Sequence, residues 1–465
     1  MSEAERADPS SGRIVKPLGV PPVVDPAEPS PERKDGRVKR FFRMLGPGLV
    51  TGVADDDPSG IATYSQAGAG LGMGLLWTGP FALVLMYAVQ EICDRTALVT
   101  GDSLGALVRR RFPRGARYFV ALLVVSLIVA NGINIAADLA AIGAGMQLLH
   151  LGPPHLWAAV AGVLLTAAVV WGSFEKLAKL FKWLCLVLLT YVGVLAVAHV
   201  PWGEVGAGFL GLRMHWSWNE VALIVAVLGT TISPYMFFWE SAQRVEELRA
   251  TAGGRDPYVP WARRPIGRRD LHQLRKVRAD VFTGMLISTL GMLAIIISTA
   301  STIGRNGPVE IHTAAEAAKA LEPIAGPAAS IVFALGFVAT GVLAVPVLAG
   351  SGAAAMSGLL GKPWGFDKTL RRAPLFYVLI AAGTLGGVII AWVSKDPVGL
   401  LVFSAIINGI AAAPFLVVVM LISNSRTLLG EHRNGVLANV LGWITTAVMA
   451  VAGVVGVYVT LFPPQ

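Results

Sequence analysis

Apolar residues in this chain arrive in blocks of about 20, the length of helix needed to cross the hydrocarbon core of a bilayer. In lipid every backbone N–H and C=O must be satisfied within its own segment, so blocks of this length commit the chain to helices. Of the 465 residues, 54% are hydrophobic and only 14% are charged, with a mean hydropathy of +0.64. A soluble domain carries roughly 25% charged residues, so a soluble enzyme with a large core is excluded. The blocks predict an all-α polytopic protein of eleven spans, near 44–69, 73–98, 116–148, 155–172, 179–200, 217–243, 279–302, 326–357, 373–393, 398–422 and 435–461. The 52 glycines suit close helix packing in lipid. A membrane domain then covers 39–461, preceded by a tail at 1–38 that is rich in Pro, Glu and Ser and is expected to be disordered and cytoplasmic. No cleavable signal peptide is expected, because no apolar run lies in that tail.

Charge in the connecting segments sets an orientation. Residues 107–117 hold five arginines, 244–278 hold ten Lys/Arg, and 362–372 hold Lys362, Lys368, Arg371 and Arg372. The opposite loops hold only Arg213, Arg305, Lys319 and Lys395. The positive-inside rule places the N-terminus in the cytoplasm and the C-terminus outside, in a cell (inner) membrane. The net charge of +9 is therefore a loop property and not a nucleic-acid signal. The segment 244–278, with Tyr258 and Trp261, reads as a retained cytoplasmic loop. Cys93 and Cys185 both lie in apolar segments, and no structural disulfide is expected.

Residues 54–60 read Ala-Asp-Asp-Asp-Pro-Ser-Gly inside a stretch, Leu45 to Gly74, that is otherwise uncharged. Ionisable groups at membrane depth are costly and mark functional sites by default. Pro58, Ser59 and Gly60 break the helix, which frees backbone carbonyls to coordinate a cation. If 44–69 did not cross, the basic segments 33–43 and 109–117 would face opposite sides, so crossing is the better account. A second break falls in the sixth span at Ser233-Pro234-Tyr235, followed by Glu240. Spans one and six are the first of two five-span halves of opposite topology. That is the arrangement of an inverted repeat, here about 44–200 and 217–422, with 435–461 as an extra helix. On a helix consecutive residues point about 100° apart, so Asp55, Asp56 and Asp57 cannot all face one ion unless the segment unwinds.

Other polar residues within spans are fewer. Asn131, Asn134 and Asp138 share a helix face; they serve either interhelical hydrogen bonding or an ion path, as Asp55 also could. Glu91 and Asp94, beside Arg95, read as a structural ion pair. Ser404 and Asn408 read as neutral ligands or packing polars. The sequence holds no phosphate loop, zinc spacing or nucleophile triad, so no enzyme and no resident cofactor is expected.

The first-span pattern resembles the Nramp family of divalent-metal transporters. It runs Gly46-Pro-Gly48, then Val53-Ala-Asp-Asp-Asp57-Pro58-Ser59-Gly60-Ile-Ala-Thr63-Tyr-Ser-Gln66-Ala-Gly-Ala69, and the match continues through Leu76-Trp77, Val99-Thr-Gly101, Asp138 and Arg371-Arg372. The resemblance implies a LeuT-type fold with a metal site between spans one and six and alternating access. It also implies which residues have changed. The family aspartate ligand maps to Asp57 and is kept, while the family asparagine maps to Gly60. Met-Pro-His of span six maps to Ser233-Pro234-Tyr235, a second histidine to Glu240, and a proton-transfer glutamate to Ala141. The span-ten glutamine falls near Ile406 or Ala412.

Loss of the thioether leaves oxygen donors: Asp57, the backbone carbonyls near Ala54 and Thr230, and Ser233, Asp56 or Glu240. Oxygen-only sites suit hard cations, magnesium or manganese among them. The expectation is a monomeric, weakly coupled or uncoupled carrier of a hard divalent cation. The rival is a sodium-coupled symporter of an anion or small solute, with anion-binding amides near Ser59 and Tyr235 and sodium at Asp55–Asp57.

Overall fold

The computed structural model describes residues 47–171, 189–197, 199–214, 216–252, 266–319, 322, 326, 329–394 and 396–462. The tail at 1–38, Cys185, Tyr258, Trp261 and half of the expected fifth span lie outside them. The described chain is helical throughout, in the order α1 (Pro47–Asp55), α2 (Pro58–Leu71), α3 (Thr78–Thr100), α4 (Leu104–Arg111), α5 (Arg114–Leu148), α6 (Pro154–Trp171), α7 (Leu189–Val197), α8 (Trp202–Phe209), α9 (Trp218–Thr231), α10 (Pro234–Thr251), α11 (Arg268–Thr302), α12 (Ala314–Ala318), α13 (Ala329–Leu359), α14 (Pro374–Val393), α15 (Pro397–Ser423), α16 (Arg426–Leu429) and α17 (Val436–Leu461).

Local chemistry explains where these helices start and stop. Proline has no N–H to lose at a first helical position, and Pro58, Pro234, Pro374 and Pro397 each open a helix. Asp57 and Asp396 cap two of these, accepting from Gly60 N and Gly399 N. Ser217 and Glu220 form a reciprocal capping box at the start of α9. Gly101, in the left-handed region at φ 71°, closes α3.

Eight helical runs among the described residues are long and apolar enough to cross a membrane. The expected first span is instead two half-helices of 9 and 14 residues. The second is a 23-residue helix that carries Glu91, Asp94 and Arg95. One boundary is corrected more substantially. Most of the expected loop 244–278 is helical, because α10 continues to Thr251 and α11 begins at Arg268. An apolar window misses such extensions, which are amphipathic: Leu274 and Val277 are buried while Arg275, Lys276 and Arg278 point outward.

Large apolar side chains line the outside of the bundle, among them Leu122, Val125 and Val129 on α5 and Val440, Val451 and Val454 on α17. In water such a belt would drive association; in lipid it is the expected solvent-facing surface. Inside are two apolar clusters. One contains Ala54, Ile232 and Tyr235 and the other Ile61, Tyr64 and Val227, so the two helix breaks lie where the clusters meet.

A candidate cation site where two helices break

At the first break the chain leaves helical geometry at Asp56 and Asp57 and resumes it at Pro58. Asp57 has extended backbone angles, φ −70° and ψ 172°. Its Oδ1 accepts from Ser59 Oγ at 2.6 Å and from Gly60 N at 2.8 Å. One carboxylate oxygen therefore takes an exposed amide of the new helix, and the negative charge sits at the positive end of the helix dipole. Across the gap, Thr230 Oγ1 of α9 is 3.2 Å from Ser59 Oγ.

The second break mirrors the first. Pro234 cannot donate to Thr230 O, and the Ser233 hydroxyl fills that place: it donates to Gly229 O at 2.7 Å and Thr230 O at 3.0 Å. Tyr235 reaches back across the gap, its hydroxyl donating to Ala54 O at 3.3 Å. The last carbonyls of α1 have lost their intrahelical partners, so Ala54 O is held by a single side chain from the other broken helix. Asp57, Ala54, Ser59, Thr230, Ser233 and Tyr235 thus form one buried group of oxygen donors. Gly60 adds space: a Cβ there would lie 3.2 Å from Tyr64 Cε2, 3.4 Å from Asp55 O and 3.5 Å from Thr230 Oγ1. No group of three or more His, Cys, Asp and Glu side chains converges among the described residues.

Two expected ligands stand elsewhere. Asp56 faces α11, where Ser288 Oγ lies 3.4 Å from its Oδ1. Asp55 faces the same helix and accepts from Ser288 Oγ at 2.6 Å. Glu240 is six residues past Pro234, about 9 Å along the helix axis, and its carboxylate accepts from the Thr51 hydroxyl near the start of α1. Asp56 is part of the break, but its carboxylate is turned to α11, and Glu240 lies beyond the break against Thr51. Asn131 donates to Leu348 O at 2.8 Å and to Ser351 Oγ at 3.1 Å, and Asn134 donates to Asn408 Oδ1 at 3.0 Å. Both asparagines therefore stitch helices together. Asp138 is buried on the same face, and neither of its carboxylate oxygens has a hydrogen-bond partner among the described residues.

Below the break, at the end where the basic segments emerge, lies a buried ionic network. Arg244 of α10 grips Asp94 of α3 with two hydrogen bonds, Nε to Oδ1 at 2.5 Å and Nη2 to Oδ2 at 2.7 Å. It also pairs with Glu247 and approaches Asp280 of α11 at 3.8 Å. Asp280 Oδ2 accepts from Gly48 N at 3.0 Å, and Glu240 takes Thr51, so both anchors of α1 belong to this network. The sequence-level pairing of Glu91 with Arg95 is present at 3.2 Å, but Asp94 pairs with Arg244 instead. Thr51, Asp280 and Ser288 were not legible in sequence: each is a single polar residue whose partner is remote in the chain.

A family model described as natural resistance-associated macrophage protein-like matches residues 48–459. The chain is 27% identical over 420 residues to the divalent metal cation transporter MntH of Aeromonas hydrophila, covering 87% of this chain and 93% of that one. It is 24% identical over 420 residues to the MntH of Deinococcus radiodurans, covering 89% and 88%. Among solved structures, the Eremococcus coleocola manganese transporter superposes with a TM-score of 0.68 at 16% identity, covering 96% of this chain and 92% of that one. Mhp1, a nucleobase-cation-symport-1 family transporter, does so at 0.52 and 14% identity, covering 90% and 91%.

Proposed function

The chain belongs to the Nramp family, and from that premise we propose that it carries a hard divalent cation, magnesium or manganese, across the membrane by alternating access. The observation that supports this reading is the donor set at the two breaks. Asp57, Ala54 O, Thr230 and Ser233 offer oxygen alone, with one carboxylate and no thioether or imidazole. Hard oxygen donors favour magnesium, manganese or calcium over softer transition metals. Magnesium usually keeps several of its waters, so a site with few side-chain ligands is compatible with it. The proposed ligand set is Asp57, the Ala54 and Thr230 carbonyls, and Ser233, with Ser59 and Tyr235 orienting them.

Coupling to protons is proposed to be weak or absent. Position 141 is alanine, 235 is tyrosine, and Glu240 is engaged with Thr51 below the break. Asp138, Asn131 and Asn134 are proposed to line the path beside the site, with Asp138 its one acidic group. The halves 44–200 and 217–422 are proposed as inverted repeats, each opening with a broken helix. The protein is proposed to act as a monomer, with its basic segments and N-terminus in the cytoplasm. The rival anion symporter has a weaker seat, because Asp57 already occupies the Gly60 amide at the start of α2.

Flux into proteoliposomes tests the reading. Mg²⁺ or Mn²⁺ uptake that is abolished in Asp57→Asn, without matching lumenal acidification, is the expected result. Equal uptake by variant and parent removes Asp57 from the site; flux that requires Na⁺ and ignores divalent ions favours the rival.

A further inference from the structure

We propose that the corner between α4 and α5 is a seat for an anionic phospholipid. α5 begins at Arg114, and residues 114, 118, 122, 125 and 129 recur at the spacing of one helix face. All five are exposed: Arg114, then Tyr118 at 78%, Leu122 at 63%, Val125 and Val129. The order along this face is cation, aromatic ring with a hydroxyl, aliphatic side chains. At 1.5 Å per residue, Tyr118 stands about 6 Å and Leu122 about 12 Å along the axis from Arg114. A phospholipid presents the same order: a charged phosphate, a polar ester layer, then acyl chains. Tyrosine and tryptophan concentrate at the headgroup level, where an amphipathic ring meets both environments.

The cationic end is built from two chain segments. α4 lies backbone to backbone on the end of α13, where a Cβ at Gly105 would come 2.4 Å from Ala355 O. The chain that leaves α13 therefore passes against α4, and the Arg109 guanidinium covers Gly361: a Cβ there would lie 2.5 Å from its Nη1. Lys362, also exposed, follows directly. Residues 103–137 contain no Asp or Glu, and Asp102, just before them, is taken by Arg110. Among the described residues, Arg109, Arg111, Arg114 and Lys362 have no carboxylate within 4 Å. Four exposed cations thus lack a counter-charge at the foot of a stripe that faces lipid. Basic clusters of this size beside a membrane helix bind anionic headgroups. A zwitterionic headgroup brings its own cation and leaves the cluster's charge unbalanced. The basic start of α11 is different: Arg278, one turn before the exposed Phe282, already pairs with Glu91 at 3.0 Å.

The test is native mass spectrometry of the full-length protein, released from micelles that hold equal amounts of phosphatidylglycerol and phosphatidylcholine with identical acyl chains. Adducts of the parent are expected to favour phosphatidylglycerol, and the preference is expected to weaken as ammonium acetate is raised. Arg109→Gln, Arg111→Gln and Arg114→Gln in one chain are expected to weaken retention of phosphatidylglycerol about tenfold or more, since each basic residue at the surface adds to the attraction. Arg268→Gln, Arg275→Gln and Lys276→Gln remove the same charge from α11 and are expected to keep the preference. Tyr118→Ala with Leu122→Ala is expected to reduce adducts of both lipids, and unchanged adducts there would remove α5 from the seat. A parent without preference for phosphatidylglycerol overturns the proposal. So does equal loss in the two triple variants, which would make the effect one of net charge. Displacement of the lipid by glycerol phosphate at equal concentration also overturns it, in favour of a site for soluble phosphates.

Discussion

A Cβ at position 291 would lie 2.9 Å from Asp56 Oδ2, so Gly291 is what makes room for that carboxylate on the face of α11. The contact of this segment with α11 is tighter still at Gly52, where a Cβ would meet backbone atoms of Gly284 that cannot move aside. Gly52→Ala is expected to cost about 1–3 kcal/mol or more by overpacking, read as a lower unfolding midpoint and loss of a monodisperse peak in size-exclusion chromatography. Gly132→Ala is the control. It sits in α5 with nothing within 4 Å of its missing Cβ, and it is expected to be neutral or stabilising by up to about 1 kcal/mol. Equal tolerance of both substitutions would contradict the backbone contact between α1 and α11.

Asp57 has two separable roles, as helix cap and as charge. Asparagine caps as well as aspartate, whereas alanine loses about 1 kcal/mol. Asp57→Asn is therefore expected to unfold at the parent's temperature yet bind Mn²⁺ or Mg²⁺ at least about tenfold more weakly, for want of its carboxylate. Asp57→Ala is expected to lose both stability and binding. Calorimetric titration of the two variants checks this, and full Mn²⁺ affinity in Asp57→Asn would show that the carboxylate is a cap only.

Some of this arrangement was legible in the sequence because it depends on local chemistry. Prolines at first helical positions and an aspartate before one of them announce a break wherever they occur, and so Asp57, Pro58 and Pro234 could be read directly. The apolar blocks marked out the eight helical runs that are long and apolar enough to cross a membrane, because lipid tolerates little else. Asp55 and Asp56 stood out as acids without an evident purpose, because their partner Ser288 is more than two hundred residues away and is one serine in an apolar helix. Glu240 was misplaced for the opposite reason. Its alignment with a site residue of the family put it near the ion, whereas its position on α10 puts it beside Thr51. The basic extension of α11 was missed because charge on one helix face reads as a loop when only mean hydropathy is followed.

The Arg244–Asp94 pair is buried on both sides, so its value appears when one partner is removed. Arg244→Met leaves Asp94 without its bidentate partner and is expected to destabilise by about 3–5 kcal/mol. Replacing both, as Arg244→Met with Asp94→Leu, is expected to recover most of that loss, since apolar substitutes for a whole buried pair are often neutral. The comparison is a double-mutant cycle on unfolding midpoints. Additive losses would mean that the two residues act independently.

Ser233 stands where the family pattern carries a methionine, and its hydroxyl now serves the Gly229 and Thr230 carbonyls. Ser233→Met would return a thioether to the break and free the Thr230 carbonyl from its hydroxyl donor. Thioether sulfur is a soft ligand, so the substitution is expected to raise affinity for Cd²⁺ by about tenfold, or about 1.4 kcal/mol, while leaving Mg²⁺ unchanged or weaker. Competition between Cd²⁺ and Mg²⁺ in a binding assay reads this directly. The loss of the Ser233 hydroxyl also leaves Thr230 O less satisfied, at about 1 kcal/mol for one hydrogen bond, so the variant is expected to unfold slightly earlier in the absence of metal and to recover when Cd²⁺ is added. A Cd²⁺ affinity equal to the parent's would place residue 233 outside the coordination sphere and leave Asp57 with backbone carbonyls alone.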